Sequence, residues 1–136
     1  MKQPILLTLL AAPALTLASE WAWVAQSDDK QDNVLVDISS IKINADVRQV
    51  WERLVPSPHT MKGAGDNAHK WLKYEVSRVA FNCADETDRT EAITAYYDDG
   101  SIENLLPEVL SQSWKPVVPD TLERREMQFV CEWKPK

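Results

Sequence analysis

The fold of this chain is indicated most clearly by residues 71–100, WLKYEVSRVAFNCADETDRTEAITAYYDDG. Residues 71–83 form the longest extended run, and the face of this run that points into the core carries Val79, Phe81 and Cys83. A second extended run follows at 90–97. Asp98-Asp99-Gly100 then predicts a hairpin turn, because glycine adopts positive φ without steric cost. The segment therefore predicts antiparallel strands joined by a tight turn.

Further extended runs flank this segment on both sides. With those already described, the predicted strands cover residues 20–26, 34–43, 47–55, 71–83, 90–97 and 101–105. A polar corner at Asn44-Ala45-Asp46 separates the second strand from the third, and a loop that contains two of the three glycines follows at 56–68. Alternation of apolar and polar side chains is typical of strands that bury one face.

The carboxy-terminal third predicts the only helix of the fold. Asp120 with Glu123 resembles a capping box, and we expect a helix from about 120 to 130 that returns Cys131 to the sheet. A strand over 127–133 is the alternative, since Met127, Phe129, Cys131 and Trp133 also alternate with period two. Residues 106–113 suit a turn or short helix, and 114–119 a proline-spaced loop.

These elements predict one α+β domain: an antiparallel sheet of about six strands, with a C-terminal helix tethered by one disulfide. The chain of 136 residues is long enough for one ordinary domain and too short for two. Its formal charge of −6 argues against a nucleic-acid partner, which normally requires a basic surface.

The amino terminus has the pattern of a secretory signal peptide. Lys2 supplies the positive charge, residues 5–17 form an apolar segment too short to span a bilayer, and Thr16-Leu17-Ala18 ends in the small residue expected at a cleavage site. We expect a signal peptide at 1–18 and a mature domain at 19–136. Because residue 19 is serine, we expect an exported periplasmic or secreted protein without a lipid anchor.

Export favours a disulfide between Cys83 and Cys131, the only cysteines. Neither has the neighbours of a zinc site, and the pair is not a Cys-x-x-Cys redox motif. Closing a loop of this length stabilises by roughly 4 kcal/mol in the chain-entropy model. Two buried free thiols are the alternative.

Signatures of catalysis are missing from the sequence. It has no nucleophile elbow, Walker loop or dinucleotide fingerprint. A metal site of His59, His69 and Asp66 is conceivable, but solvated loop histidines are the simpler interpretation. We therefore predict no enzyme, no cofactor, and no catalytic, cofactor-binding or metal-binding residue.

Two acidic groups have simple interpretations. Asp28, Asp29 and Asp32 lack the glycine and glutamate of a calcium loop, so we expect them to solvate a hairpin tip. A second group could form a negative rim that attracts a basic protein, with plain solubility as the alternative. Its members are Asp85, Glu86, Asp88, Glu91, Asp98 and Asp99.

The six tryptophans are expected to pack largely within the protein. Trp21, Trp23 and Ala25 alternate along the first strand, and the default for Trp21, Trp51 and Trp71 is burial. Trp114 and Trp133 lie on loop or terminal segments, where exposure as binding anchors is the alternative.

Taken together, these positions resemble a known family. The resemblance rests on Trp21 with Val24, the segment Val36-Asp37-Ile38-Ser39-Ser40-Ile41, Val50-Trp51, Cys83, Tyr97, Gly100, the loop from Trp114 to Pro119, and Cys131. Their order over residues 20–133 is similar to that of the surface-adhesin E family of small exported bacterial proteins. The family differs in having a lipid-anchor cysteine and in favouring Pro-Gly-Ser where this chain has Pro119-Asp120-Thr121.

The resemblance implies an antiparallel sheet with a helix docked through Cys83 and Cys131, and no catalysis. It also implies a non-enzymatic binding protein, with host extracellular-matrix or plasma proteins as partners. The alternative is a soluble periplasmic inhibitor or immunity protein. The negative net charge of the predicted mature chain would suit capture of a basic cell-wall enzyme or effector.

Overall fold

The computed structural model describes residues 18–105, 110 and 112–136. The predicted signal segment 1–17 and most of the predicted turn at 106–113 lie outside the described residues. The elements described are β1 (Trp21–Gln26), β2 (Asp32–Asn44), β3 (Val47–Pro56), β4 (Leu72–Asn82), β5 (Thr87–Tyr97), β6 (Ile102–Leu105), β7 (Lys115–Pro116) and α1 (Leu122–Glu132). A 3-10 turn, Gly65–Asn67, lies in the loop between β3 and β4.

The strands form one antiparallel sheet in chain order from β1 to β6, which confirms the predicted fold class. The seventh strand was not predicted, because the sequence of 114–119 suggested only a loop. β6 pairs with residues 93–96 of β5. The remaining part of that edge is therefore open to β7, where Lys115 lies opposite Asp88 and Pro116 opposite Thr87.

The strict alternation predicted for β1 is wrong. A bulge shifts the register between Trp23 and Ala25, which lie opposite consecutive residues of β2. The extra residue changes which side chains point inwards. Val24 packs against the core and Ala25 is buried, whereas Trp23 is exposed.

Helix α1 covers one face of the sheet and contacts β1 to β4. The buried core between helix and sheet consists of Val36, Val50, Val79, Phe81, Val117, Met127 and Val130. The inward direction predicted for Val79 and Phe81 is thus confirmed. Burial of these apolar side chains is the main contribution that holds the helix against the sheet.

Three further contacts fix the helix in place. Cys131 lies in its last turn and forms the predicted disulfide with Cys83, just beyond β4, with a Cα–Cα distance of 5.9 Å. Arg48 Nη1 donates to the backbone oxygen of Val130 at 2.8 Å, which satisfies a carbonyl near the helix end. Arg125 Nη1 donates to the backbone oxygen of Gln26 at 2.6 Å and so joins the helix to β1.

The helix starts one residue later than the predicted capping box requires. Thr121 is the N-cap, and its hydroxyl accepts a hydrogen bond from the backbone N–H of Arg124. Asp120 has φ of 60°, a conformation that favours glycine and that Asp tolerates better than most residues. Asp120 and Thr121 therefore meet the two requirements of this turn, a residue that tolerates positive φ and a hydroxyl that caps the helix.

A second, smaller core lies at the other end of the sheet. Leu72, Ala95 and Tyr97 are buried there, with Met61 packed against them. Gly63 is required by close approach, since a Cβ at this position would lie 2.6 Å from the backbone oxygen of Asn67. The predicted loop 56–68 is thus partly ordered by packing.

Candidate protein-binding surface

The sheet face opposite the helix carries a row of aromatic and charged side chains. Alternation along each strand turns these residues away from the core. In the register of the sheet, Asp37 lies opposite Trp21 on one side and Trp51 on the other, and Trp51 lies opposite Arg78. Four neighbouring strands therefore each contribute one side chain to this row.

Two further rows continue the surface. Arg53 lies between Leu35 and Val76, with Trp23 at the end of the same row. Tyr74 lies opposite Tyr96, and their rings stack with centroids 4.4 Å apart. We define the open face as the surface formed by Trp21, Trp23, Trp51, Arg53, Tyr74, Arg78 and Tyr96.

Arg53 occupies the centre of the open face. Its guanidinium carbon lies 4.3 Å from the centroid of the Trp21 ring and 5.1 Å from that of Tyr74. Its Nε is buried and has no hydrogen-bond partner, and the side chain forms no ion pair with any described residue. The cation is held by ring faces alone, so its remaining donors are available to an acidic group.

Arg78 is differently placed. Its guanidinium lies 5.8 Å from the Trp51 ring centroid, and its Nε lies 3.2 Å from a carboxylate oxygen of Glu91. Gln49 donates to both oxygens of the same carboxylate. The charge of Arg78 is therefore compensated internally, whereas that of Arg53 is not.

Asp37 lies between Trp21 and Trp51 and is held in place by hydrogen bonds. Its Oδ1 accepts hydrogen bonds from the backbone N–H of Glu20 at 2.9 Å and of Ser39 at 3.1 Å, and from the Ser39 hydroxyl. Burial alone would raise the pKa of Asp37, but the Ser39 and Glu20 hydrogen bonds outweigh it and hold the pKa below its ordinary value. The carboxylate is therefore ionised at neutral pH.

The open face carries a shallow depression. Its volume is about 350 Å³, and it is lined by Ser19, Trp21, Asp37, Trp51, Val76, Thr94 and Tyr96. These residues come from β1 to β5 and from the residues just before β1. The surface can therefore receive a convex part of another molecule that carries apolar or charged side chains.

The structure corrects the expected burial of the tryptophans. Trp51 is 36% exposed and Trp23 60% exposed, both on the open face, so the predicted burial of Trp51 is wrong. The reason is that Val50 takes the inward position of β3. Trp21, Trp71, Trp114 and Trp133 are half-buried.

The loop histidines form no metal site within the described residues, where no group of three or more His, Cys, Asp or Glu is placed to hold a metal ion. His59 lies against the Trp71 ring, and its Nε2 is 3.3 Å from Asp98. His69 is exposed, and Asp66 lies in the 3-10 turn.

The acidic residues do not form one rim. Asp85 and Glu86 lie at one end of β5, and Asp98 and Asp99 lie at the other. Asp28 and Asp29 lie in the turn between β1 and β2, as predicted, whereas Asp32 is the first residue of β2 and is half-buried. There, Asp29 accepts hydrogen bonds from Ser27 and Gln31, and Asp28 pairs with Arg125 of the helix.

Comparison with known proteins identifies the family. The sequence profile of surface-adhesin protein E matches residues 21–132. This chain belongs to the surface-adhesin protein E family. Two solved structures of Haemophilus influenzae protein E have the same fold, at 14% and 13% identity and TM-scores of 0.55 and 0.53. The match to the first structure covers 88% of this chain and 89% of that chain. The match to the second covers 87% of this chain and 96% of that chain. Curated protein sequences gave no significant match.

Family membership confirms the resemblance seen in the sequence and supports a surface adhesin. Proteins of this kind are exported or exposed at the cell surface and are generally not enzymes. Within the part of the chain that the structure describes, no helix is both long and apolar enough to cross a membrane. The register of the sheet brings the residues of the open face together. The sequence did not indicate this register, so the open face was not predicted.

Proposed function

We propose that this protein is an exported adhesin-like binding protein that recognises a host extracellular-matrix or plasma protein through the open face. The observation that carries the proposal is the unpaired Arg53 set between the half-buried rings of Trp21 and Tyr74 on the sheet face opposite the helix. The proposal includes a signal peptide at 1–18, a mature domain at 19–136 and export without a lipid anchor.

The composition of the open face supports a protein partner. Tryptophan, tyrosine and arginine are the residue types that contribute most to protein–protein binding energy. Three Trp, two Tyr and two Arg lie here on four strands of one sheet, β1, β3, β4 and β5. Rigid aromatic side chains lose little conformational entropy on binding, and the shallow depression among them allows close packing.

The charge at the centre favours an acidic contact on the partner. Arg53 is a guanidinium that has no carboxylate of its own and can bind one bidentately. A basic enzyme, the partner in the alternative hypothesis of an inhibitor or immunity protein, would meet this cation with repulsion. The open face therefore supports the adhesin hypothesis over the inhibitor hypothesis.

Surface binding of the purified protein to immobilised laminin, vitronectin and plasminogen tests the proposal. We expect saturable binding to at least one of them. Trp51→Ala and Arg53→Ala should each weaken that binding by about 10-fold or more, which is typical of central interface residues.

Ile43→Ala is the matched control, because Ile43 is a comparably exposed apolar side chain opposite Arg48 at the far end of β2. This variant should bind as the wild type does. Binding to none of the three proteins, or equal losses in the Ile43 and Trp51 variants, would contradict the proposal. Intact melting transitions in all variants establish that a loss is local.

A further inference from the structure

A groove between α1 and the sheet is lined by carboxylates. One cavity of about 410 Å³ and another of about 300 Å³ lie side by side and share Glu52, Glu123 and Glu126 in their walls. Asp88 lines the first cavity, and the second is lined by the two remaining carboxylates, Asp32 and Glu75. Both cavities lie on the opposite side of the sheet from the open face.

These six carboxylates are not neutralised by the protein. None of them forms an ion pair with a described residue. Lys115 is the one basic residue in the cavity walls, at the mouth of the first cavity beside Asp88. The arginines of the helix are engaged elsewhere, Arg124 with Glu86 and Arg125 with Asp28.

Glu126 is the residue that points most directly to a ligand in the groove. Its side chain lines both cavities and is only 3% exposed. Apart from the hydrogen bond that its carboxyl shares with that of Glu52, its buried Oε1 has no donor among the described residues. A buried carboxyl oxygen without a partner is costly, and native structures rarely keep one without a reason. A cationic donor in the groove would satisfy it.

Burial affects the other carboxyls of the groove in the same direction. It raises the pKa of Glu52 and Glu126, and repulsion between these two groups raises that of Glu126 further. Burial also raises the pKa of Asp32, Glu75 and Asp88. Each of these groups would be stabilised in its ionised form by a nearby positive charge.

We propose that this groove binds a small organic polycation, a linear amine with two or more positive charges. A folded protein surface cannot reach Glu126, whereas an extended small molecule fits cavities of this size. A bare metal ion fits poorly, because among the described residues no three acidic, His or Cys side chains converge on one point. Carboxylates spread along two joined cavities instead match charges spread along a chain.

Calorimetric titration of the purified protein with spermidine at neutral pH and low salt tests this proposal. We expect saturable binding that weakens with added salt. Glu126→Gln, which keeps the size of the side chain and removes the carboxyl that a bound cation would ionise, should weaken binding by about 10-fold or more. Glu123→Gln provides a second test at an exposed position, where the change cannot disturb the core.

Glu132→Gln is the matched control, an exposed glutamate on the same helix outside both cavities. It should bind spermidine as the wild type does. The proposal is overturned if spermidine does not bind, if Glu132→Gln weakens binding as much as Glu126→Gln, or if magnesium chloride, titrated at the same concentration of positive charge, binds as tightly as spermidine. The last two results would indicate a general counter-ion effect.

Discussion

Two neighbouring residues of β3, Glu52 and Arg53, show how differently the two sides of this sheet are built. Glu52 points towards the helix and lines the carboxylate groove, where its partner is another acidic residue, Glu126. Arg53 points the other way and is held between aromatic rings without an anion. One residue of alternation thus places opposite charges on opposite sides of the sheet, where they cannot pair.

The sheet therefore keeps the acidic Glu52 and the basic Arg53 apart, so that neither neutralises the other. A chain selected for stability alone would pair such groups or replace them by apolar residues. Groups that lack partners inside the protein are where partners from outside are expected. The helix-covered side then suits a small cation that can enter it, and the open face suits a macromolecule.

Breaking the disulfide should have the largest effect and should act on the helix-covered side. We expect Cys83→Ser/Cys131→Ser to lower the free energy of unfolding by about 4 kcal/mol, because the bridge closes a long loop. Calorimetric melting with and without reductant measures this. An unchanged melting temperature after reduction would show that the covered side does not depend on the bridge.

Adjacent substitutions in β3 compare the two sides directly. Val50 is 1% exposed beneath the helix, and Val50→Ala should cost roughly 2 kcal/mol for the lost methyl groups and the cavity. Trp51→Ala should lower the free energy of unfolding by less than Val50→Ala, since the Trp51 side chain is 36% exposed and its removal leaves a surface open to water instead of a closed cavity. Urea unfolding of both variants checks this, and a larger loss from Trp51→Ala would mean that the open face is structural.

Much of the covered side could be predicted from the sequence. Strand periodicity identified Val79 and Phe81 as core residues, and the oxidising compartment expected from the signal peptide identified the disulfide. These signals are local, because each depends on the spacing of residues within one element or on composition. The family resemblance rested on the same positions, and the family match confirmed it.

The open face could not be predicted in the same way. Its rows depend on which residue of one strand lies opposite which residue of the next, and the bulge at Val24 changes this register. Trp51 looks like a core residue in isolation, and only its position opposite Asp37 and Arg78 shows its surroundings. The groove was missed for a similar reason, since Glu52 and Glu126 are 74 positions apart in the chain.

The buried carboxyls should make stability depend on pH. The folded pKa of Glu126 is raised by burial and then by Glu52, and Glu123 and Asp88 add to the repulsion. Its stabilising effect is complete below the ordinary carboxyl pKa and is lost as pH rises through the folded pKa, by about 1.4 kcal/mol for each unit of the shift. Wild-type stability should therefore fall as pH rises above about 4.5, whereas Glu126→Gln should flatten this fall.

Chemical unfolding from pH 4.5 to 8 gives the measurement. Asp37 does not obscure it, because its pKa is lowered and its contribution is lost only at lower pH. Identical slopes for wild type and Glu126→Gln would show that Glu126 is not the titrating group. Open-face substitutions such as Arg53→Ala should leave the slope unchanged, which separates the two sides of the sheet.

The smallest effect is expected at the start of the helix. Thr121→Ala removes the hydroxyl that accepts from the Arg124 N–H and should cost about 1 kcal/mol. Asp120→Gly should instead stabilise slightly, because residue 120 has positive φ and glycine adopts it without strain. Thermal melting of both variants distinguishes Thr121 from Asp120 as the cap. If Asp120 were the cap, Asp120→Gly would lower the melting temperature more than Thr121→Ala. Neither change touches the open face, so binding through that surface should survive both.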